Sequence, residues 1–393
     1  MDALSQMKKD PYAFLGVKKI INATCHWTVY GGTLIPDEVL DTMRESAKWH
    51  VDIRDLQKAA GRAISKHTHA EDGYIVSGCA AAILVGTAAI LTGKDPAKMM
   101  QLPDTAGMKD LCVAARFERR KNPAGREYVH YGYAHAVKTA GVKFVEVGDG
   151  RRTTAEGLDE ALRKNAPNVA LTYWTGYWAK DDLALPDVIA ISHRHGVPVL
   201  VDASNSLPPR ENLHRFVDMG ADLVAYSGGK GLHGPQGAGV LAGRKEIIEA
   251  VAMQAAPTQG IGRVAKVSKE EVVGMIAALT WWAEQDDEAR MTEHHRRSNK
   301  LASLIKGLPG AKTEVVFPDQ WQRPFPTVHL TTLPASGLDA AKIIDALKDG
   351  DPAIGVMGGS DPQTVRMDVR LCEDWELDAI GKRLHEVFAA HKK

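Results

Sequence analysis

Residues 198–243 decide the fold, because they hold three short apolar runs: PVLVD (198–202), LVAYS (223–227) and GAGVLAG (237–243). A helical pattern that ends near a glycine, LHRFVDMGA (213–221), separates the first run from the second. Short apolar runs that alternate with helical segments are typical of parallel strands covered by helices on both faces. The stretch therefore predicts the centre of an α/β domain.

The same alternation continues outward towards the N-terminus, and a different pattern begins after residue 260. Further strands are predicted at YIV (74–76), EYVHY (127–131), KFVEV (143–147) and VALTYW (169–174). After residue 260, long helical patterns lead to the short runs TVHLTTL (327–333) and TVRMDVRL (364–371) and a terminal helix. We predict an N-terminal arm (1–20), a large α/β domain (21–255) and a smaller C-terminal α+β domain (256–393) that includes a linking helix.

Bulk composition restricts the class of protein. The chain has 393 residues, of which 44% are hydrophobic, and its 49 Lys and Arg side chains equal its 49 Asp and Glu side chains. Zero net charge disfavours a nucleic-acid binder, and no apolar run approaches the roughly 20 residues that span a bilayer. The four cysteines lack the paired spacings of a disulfide framework or zinc site. We expect a cytoplasmic protein with reduced thiols and no membrane partner.

Lys230 and Asp202 each follow one of the apolar runs. Open α/β sheets bind ligands at the carboxyl ends of their strands. A lysine there can hold a carbonyl cofactor as a Schiff base, and a buried carboxylate keeps the ring nitrogen of pyridoxal 5'-phosphate (PLP) protonated. Alone, Lys230 would be a solvated loop residue and Asp202 a helix cap; together they indicate PLP.

A third element is YIVSGCAAAILVGTAAIL (74–91), which places Ser77, Gly78 and Cys79 between a strand and an apolar helix. Backbone amides at the start of such a helix bind phosphate at the positive end of the helix dipole. The alternative is a close-packed helix that Ser77 merely caps. The position of this element before the aspartate and lysine segments favours a phosphate loop.

These segments resemble fold-type I PLP-dependent enzymes, and within them the group of selenocysteine synthase (L-seryl-tRNA selenium transferase) and D-glucosaminate-6-phosphate ammonia-lyase. The resemblance covers nearly the whole chain and includes INATCHWTVYGGTLIPDEVL (21–40) and AVKTAGVKFVEVGD (136–149). It implies an aspartate-aminotransferase-like fold with a mainly parallel sheet. The phosphate ligands that it implies are Ser77, Gly78, Cys79 and Ser227, beside Lys230 and Asp202.

The resemblance also implies partners. Gln236 and Gly237 match the part of the lysine segment that approaches the cofactor phosphate of a second subunit, so a homodimer or larger assembly is expected. Arg370 matches the C-terminal arginine that receives a substrate carboxylate, and a guanidinium fork suits that role. Arg366 and Arg323 compete with it.

Histidines and aromatic residues supply further candidates. We predict that His130 stacks on the PLP ring or acts as an acid or base, with Tyr131 and Tyr133 as alternatives. Thr175 is predicted to reach the phenolic oxygen of the cofactor. His67 and His69 resemble a pair of metal ligands, but the sequence offers no evident third or fourth ligand, so no metal is predicted.

The reaction follows from the ammonia-lyase relatives. We predict an ammonia-lyase or dehydratase that converts a β-hydroxy amino acid, of D configuration or sugar-derived, into a 2-oxo acid and ammonia. The alternatives are a racemase or epimerase, then an aldolase, an aminotransferase or a selenium or sulfur transferase. The short segment before Ile21 and the zero net charge disfavour a tRNA partner. Gly229 stands where selenocysteine synthases usually carry an acidic residue, which argues against identical chemistry. A regulatory or binding module is the non-enzyme alternative, and the intact Lys230 and Asp202 argue against it.

Overall fold

Strands are spread along the whole chain of the computed structural model, which describes residues 2–150, 152–175, 182–319 and 321–391. The described strands are β1 (Ile20–Asn22), β2 (Asp72–Val76), β3 (Leu111–Ala115), β4 (Glu118–Lys121), β5 (Glu127–His130), β6 (Lys143–Val147), β7 (Val169–Trp174), β8 (Val199–Asp202), β9 (Leu223–Ser227), β10 (Gly239–Gly243), β11 (Ala311–Val316), β12 (Thr327–Thr332), β13 (Ala353–Gly355), β14 (Met357–Gly358) and β15 (Thr364–Met367).

Helices fill most of the intervals between these strands. Several begin at side chains that cap the first turn, such as Asp52, Thr154 and Ser268, and Ser268 forms a reciprocal capping box with Glu271. The described α-helices are α1 (Ala3–Lys9), α2 (Pro11–Phe14), α3 (Asp37–Ser46), α4 (Ile53–Thr68), α5 (Gly78–Thr92), α6 (Pro96–Gln101), α7 (His135–Thr139), α8 (Ala155–Asn165), α9 (Leu185–Arg194), α10 (Arg215–Asp218), α11 (Lys245–Gln254), α12 (Lys269–Ala283), α13 (Asp287–Leu304), α14 (Ala340–Asp349) and α15 (Asp374–Ala390).

The apolar runs of the sequence form a seven-stranded sheet with the order β2-β10-β9-β8-β7-β3-β6. β10 runs antiparallel to both of its neighbours, and the other described pairings are parallel. One face packs against α5, α7 and α11, and the opposite face packs against α4, α8, α9 and α12. The prediction of a mainly parallel sheet in an α/β core is therefore confirmed.

Two details of the strand prediction were wrong. EYVHY (127–131) was expected within the sheet, but β5 pairs only with the charged strand β4 in a separate two-stranded sheet. Its first two residues, Glu127 and Tyr128, are exposed, as expected for a two-stranded antiparallel sheet with one face in solvent. The strand that takes its place in the sheet is β3, whose sequence LCVAA ends in two alanines, a residue type depleted in strands.

The chain divides into two compact units. The large unit comprises Leu34–Gln285, and the small unit comprises the residues up to Thr33 together with those from Asp286 onward. This division departs from the predicted boundary at residues 255 and 256, because α12 packs its apolar residues into the large core against α3 and α4. The N-terminal segment joins the small unit because β1 pairs in parallel with β13.

The small unit has its own core. Its four-stranded antiparallel sheet has the order β11-β12-β15-β14, and it packs with α13, α14 and α15 around buried aliphatic residues. In the described residues, no helix combines the length and the apolar character that crossing a bilayer requires.

Candidate active site

Lys230 and Asp202 come from neighbouring strands of the large unit. Asp202 is the last residue of β8, pairs with Ala225 of β9 and is only 2% exposed. Lys230 lies in the turn three residues beyond β9. Its Nζ is 3.5 Å from Ser204 Oγ, and the Ser204 amide donates to Asp202 Oδ1 at 2.9 Å. The structure thus brings the predicted lysine and aspartate together, with Ser204 between them.

Neutral donors surround the Asp202 carboxylate. The Tyr173 hydroxyl donates to Oδ2 at 3.0 Å, the Ser204 amide donates to Oδ1, and the Cys79 thiol lies 3.8 Å from Oδ1. A buried carboxylate is stabilised best by a cationic partner. The carboxylate therefore suits a protonated ring nitrogen.

Cys79 contributes a protonated thiol to this cluster. Burial, followed by the negative charge of Asp202, raises the pKa of Cys79 well above its usual range. The thiol consequently acts as a weak donor to the carboxylate and not as a nucleophile, since only the thiolate attacks readily.

The predicted phosphate loop begins α5. Ser77 occupies the N-cap position, but its side chain makes no capping hydrogen bond, so it does not merely cap the helix. Gly78 has φ +81°, a left-handed conformation that glycine adopts without strain. A Cβ on Gly239 of β10 would lie 2.5 Å from the carbonyl carbon of Gly78, so the lysine segment packs directly on this loop.

The turn after β9 is equally tight. Ser227 ends β9 opposite Gly239, and a Cβ on Gly229 would come within 2.6 Å of Gln236 Cα. Gln236 and Gly237 are exposed on this chain. A side chain at Gly229 would displace this loop, which explains the glycine at the position next to Lys230.

Tyr133 is the aromatic residue nearest the lysine among the described contacts, since Lys230 Nζ lies 5.2 Å from the centre of its ring. Desolvation, then the charge of Asp202, raises the pKa of Tyr133. His130 lies at the end of β5, and the structure describes no contact between His130 and Lys230. Tyr131 instead packs against Phe117 and Phe144.

A cleft of about 930 Å³ opens beside this cluster at the carboxyl ends of β3, β6 and β7. Its lining includes Tyr133 and Tyr173. His130 and Thr175, the two residues predicted to contact the cofactor, also lie on the cleft wall. Its basic residues are Arg116, Arg119 and Arg152. Arg119 pairs with Glu146, and the described structure shows no ion pair for Arg116 or Arg152.

Three buried arginines form a cluster within the small unit. Arg370 donates Nε and Nη2 to the two oxygens of Asp368, at 2.9 and 2.8 Å. Arg323 donates Nε and Nη2 to a single oxygen of Asp319, Oδ2. Arg366 is 5% exposed, lies 4.3 Å from the Trp321 ring and has no described hydrogen-bond partner for Nε or Nη1.

Arg366 has no described carboxylate partner, and its Nη2 donates to the thioether of Met357 at 3.2 Å. The fork of Arg370, the residue that the sequence predicted to receive a carboxylate, is occupied by Asp368. Burial, then the charge of Arg323, lowers the pKa of Arg366, as expected for a buried cation that lacks an anionic partner.

Sequence reasoning missed Tyr173 and Ser204. Ser204 carried a signal, because a serine two residues after Asp202 can turn its amide back to the carboxylate. Tyr173 carried none, since its contact depends on the register between β7 and β8, in which it lies opposite Leu200.

These residues fit PLP. A buried carboxylate at one strand end, a lysine beyond the next strand and an uncapped helix start packed on the lysine segment define a fold-type I PLP-dependent enzyme. The aminotransferase class-V family matches residues 132–370, and the chain belongs to this family.

Known relatives agree with this class. The chain is 30% identical to D-glucosaminate-6-phosphate ammonia lyase of Salmonella typhimurium over 386 residues, covering 97% of this chain and 98% of the relative. A solved structure of D-glucosaminate-6-phosphate ammonia-lyase superposes with a TM-score of 0.80 at 26% identity, covering 98% of this chain and 99% of that one. The chain is also 30% identical to 5'-C-glycyluridine monooxygenase-decarboxylase of Streptomyces sp over 347 residues, which are 87% of this chain and 83% of the relative. The predictions of PLP and of an ammonia-lyase relative are thereby confirmed.

Proposed function

We propose that the protein is an ammonia-lyase that converts a β-hydroxy amino acid into a 2-oxo acid and ammonia. The observation that carries the proposal is the arrangement of Lys230 and Asp202 across Ser204, in a chain that matches an ammonia-lyase over nearly its full length. When bound, PLP supplies an electron sink for the pair of electrons left at the substrate α-carbon. In the net reaction water leaves and is taken up again, so the products are the 2-oxo acid and ammonia alone.

Lys230 is proposed to hold the cofactor and then to move the α-proton through Nζ. Ser204 Oγ, at 3.5 Å, orients Nζ, and the Tyr133 ring lies beside it. Asp202 keeps the cofactor nitrogen protonated, helped by hydrogen bonds from Tyr173 and Ser204 that stabilise the ionised carboxylate.

The cofactor phosphate is proposed to bind the amides at the start of α5, with Ser77, Gly78, Cys79 and Ser227 as its surroundings. Gln236 and Gly237, exposed on this chain, are proposed to approach the phosphate of a second subunit, so the working form is a homodimer or larger. Thr175 and His130, on the cleft wall, are proposed to contact the phenolic oxygen and to protonate the leaving hydroxyl, respectively.

The substrate is proposed to be larger than a simple amino acid and anionic. A cleft of about 930 Å³ exceeds the needs of a small amino acid, and the side chains of Arg116 and Arg152 lie on its wall without a described ion pair. A sugar-derived amino acid with an acidic group at its far end would complement both features.

The α-carboxylate is proposed to bind the arginine cluster. Arg370 would have to release Asp368 first, whereas Arg366 already presents two buried N–H groups without hydrogen-bond partners. We expect Arg366→Lys to raise KM more than tenfold while the chain still folds and binds PLP. An unchanged KM would return the role to Arg370.

The central test compares Lys230→Ala with wild type. Wild-type protein treated with borohydride should carry a pyridoxyl group on the Lys230 peptide by mass spectrometry, and the variant should carry none. Lys245→Ala, an exposed lysine of the same unit, is the matched control and should keep the adduct. Ammonia and 2-oxo acid release should then be measured with D-glucosaminate 6-phosphate and with D- and L-serine and threonine.

A second candidate is oxygenation with decarboxylation at the α-carbon, because the Streptomyces relative is equally identical, at 30%. The same assays distinguish the ammonia-lyase reaction from oxygenation with decarboxylation when oxygen uptake is also measured with an electrode. A lyase releases ammonia without oxygen uptake, whereas the second reaction consumes oxygen and releases carbon dioxide.

A further inference from the structure

His69, His214 and Asp218 meet on the surface of the large unit. His69 Nδ1 is 2.9 Å from Asp218 Oδ1, and His214 Nδ1 is 2.6 Å from Asp218 Oδ2. The two imidazole rings stack with their centres 4.2 Å apart. Both Nδ1 atoms thus point at one carboxylate, although the histidines come from segments far apart in the chain.

We propose that His69, His214 and Asp218 bind a divalent transition-metal ion of the zinc class. Two imidazole nitrogens and one carboxylate oxygen are a donor set that zinc accepts, with water as the fourth ligand. The donor atoms all lie within 4.8 Å of one another. Neighbouring donors around tetrahedral zinc are about 3.3 Å apart, so modest side-chain rotations would close the site.

Backbone positions support this ligand set. His214 and Asp218 are four residues apart across the turn of α10, a spacing that puts two side chains on one face, as in the metal-binding histidines of HExxH helices. His69 follows α4 with φ +58° in the left-handed region, where glycine is the usual residue. His69 therefore carries a side chain at a position where glycine is more usual.

The charge of this ligand set also suits a divalent cation. Asp218 supplies the anionic ligand of the set, and both imidazoles direct Nδ1 to its carboxylate. All three side chains are partly exposed, which leaves room for water ligands and for entry of the ion.

Comparison with two other His–Asp pairs shows why this cluster is distinct. Asp159 accepts from His195 and from Arg194, and Asp222 accepts from His193 and from Arg244. In each of those pairs a guanidinium takes the place of the second imidazole. A guanidinium stays protonated and cannot ligate a metal, whereas an imidazole can.

The site lies away from the catalytic cluster. His69 and Asp218 precede the first residues of β2 and β9, whereas Ser77 and Ser227 lie at the opposite ends of these strands. Five residues of strand separate the two edges by about 17 Å. The proposed metal ion would therefore link the end of α4 to α10. The inference does not rest on the proposed reaction.

The test uses the full-length holoenzyme, treated with a chelator and then desalted. Calorimetric titration with zinc chloride should show one zinc ion per chain. His69→Gly and His214→Ala should each weaken zinc binding at least tenfold, and the double variant should show no saturable binding. Zinc at a hundredfold excess over Kd should raise the melting temperature of the wild type by about 3 °C and leave that of the double variant unchanged.

His195→Ala is the matched control, because it removes a surface imidazole from a His–Asp pair that also contains an arginine. It should bind zinc as the wild type does. The proposal is overturned if the wild type shows no saturable zinc binding, or if both histidine variants bind zinc as tightly as the wild type.

Discussion

Asp202 and Asp222 are both 2% exposed and lie at opposite edges of the same sheet, yet their partners differ in charge. Asp222 accepts from the Val199 amide at 2.7 Å, from His193 Nε2 at 2.8 Å and from the cationic Arg244 at 3.1 Å. The described hydrogen bonds of Asp202 come from neutral groups only. The chain itself completes the surroundings of Asp222, whereas the described partners of Asp202 include no cation. We therefore expect Asp222 to serve the fold and, under the proposed function, Asp202 to serve the cofactor.

The largest expected effect is on catalysis at Asp202. Asp202→Asn should lower kcat/KM about 1000-fold, or roughly 4 kcal/mol, because a neutral amide cannot keep the cofactor nitrogen protonated. The free energy of unfolding without cofactor should change by less than about 1 kcal/mol. Kinetics at saturating PLP measure kcat/KM, and urea unfolding measures the free energy of unfolding. A variant that retains more than a tenth of the wild-type kcat/KM would contradict the cofactor role of Asp202.

Asp222→Asn should do the reverse. The substitution takes the buried carboxylate from His193 and the Val199 amide and leaves Arg244 with Glu246 alone, so the free energy of unfolding should fall by about 3 kcal/mol. Activity per folded molecule should stay within twofold of the wild type. Asp159→Asn, at a more exposed His–Asp–Arg cluster, is the control and should cost less than about 1 kcal/mol in urea unfolding.

The comparison of buried ionisable side chains extends to the small unit, in which His294 is a buried base. Burial, then the charge of Arg370, lowers the pKa of His294 to about 3. The unfolded chain takes up this proton near pH 6.5 and the folded chain does not, so stability is present above about pH 6.5 and is lost as the pH falls towards 3. His294→Gln should reduce the loss of unfolding free energy between pH 7 and pH 5 by about 2 kcal/mol. Urea titrations at both pH values that show the same loss in wild type and variant would contradict this.

The smallest effect is expected at a neutral donor to Asp202. Tyr173→Phe removes the hydroxyl that donates to Oδ2, which should lower kcat/KM about tenfold. Because this residue acts through Asp202, the absorption maximum of bound PLP should also shift. A variant with wild-type activity and an unchanged spectrum would show that Asp202 needs no such donor.

The sequence predicted those parts of the site that local patterns encode. Lys230, Asp202 and the Ser77 loop each follow an apolar run, and strand ends place such residues at one edge of a parallel sheet. Tyr173 depends on strand register and was therefore not predicted. β3 was missed because its two alanines are at least as frequent in helices as in strands, and its place in the sheet is evident only from its pairing with β6 and β7.

The unpaired Nε and Nη1 of Arg366 also could not be predicted from the sequence. Three arginines in the C-terminal part of the sequence looked equivalent, and the resemblance favoured Arg370. Only the folded small unit shows that Asp368 and Asp319 engage two of them. Pairing between side chains two or four residues apart depends on rotamers and burial that the sequence does not specify.

The pairing of β1 with β13 has a consequence for synthesis on the ribosome. Ile20 lies opposite Ala353, so β1 leaves the ribosome about 330 residues before its partner strand. At 5–20 residues per second this delay is roughly 20 to 70 s. The large unit emerges completely within that interval. The segment of the large unit is therefore synthesised completely before the two segments of the small unit can pair.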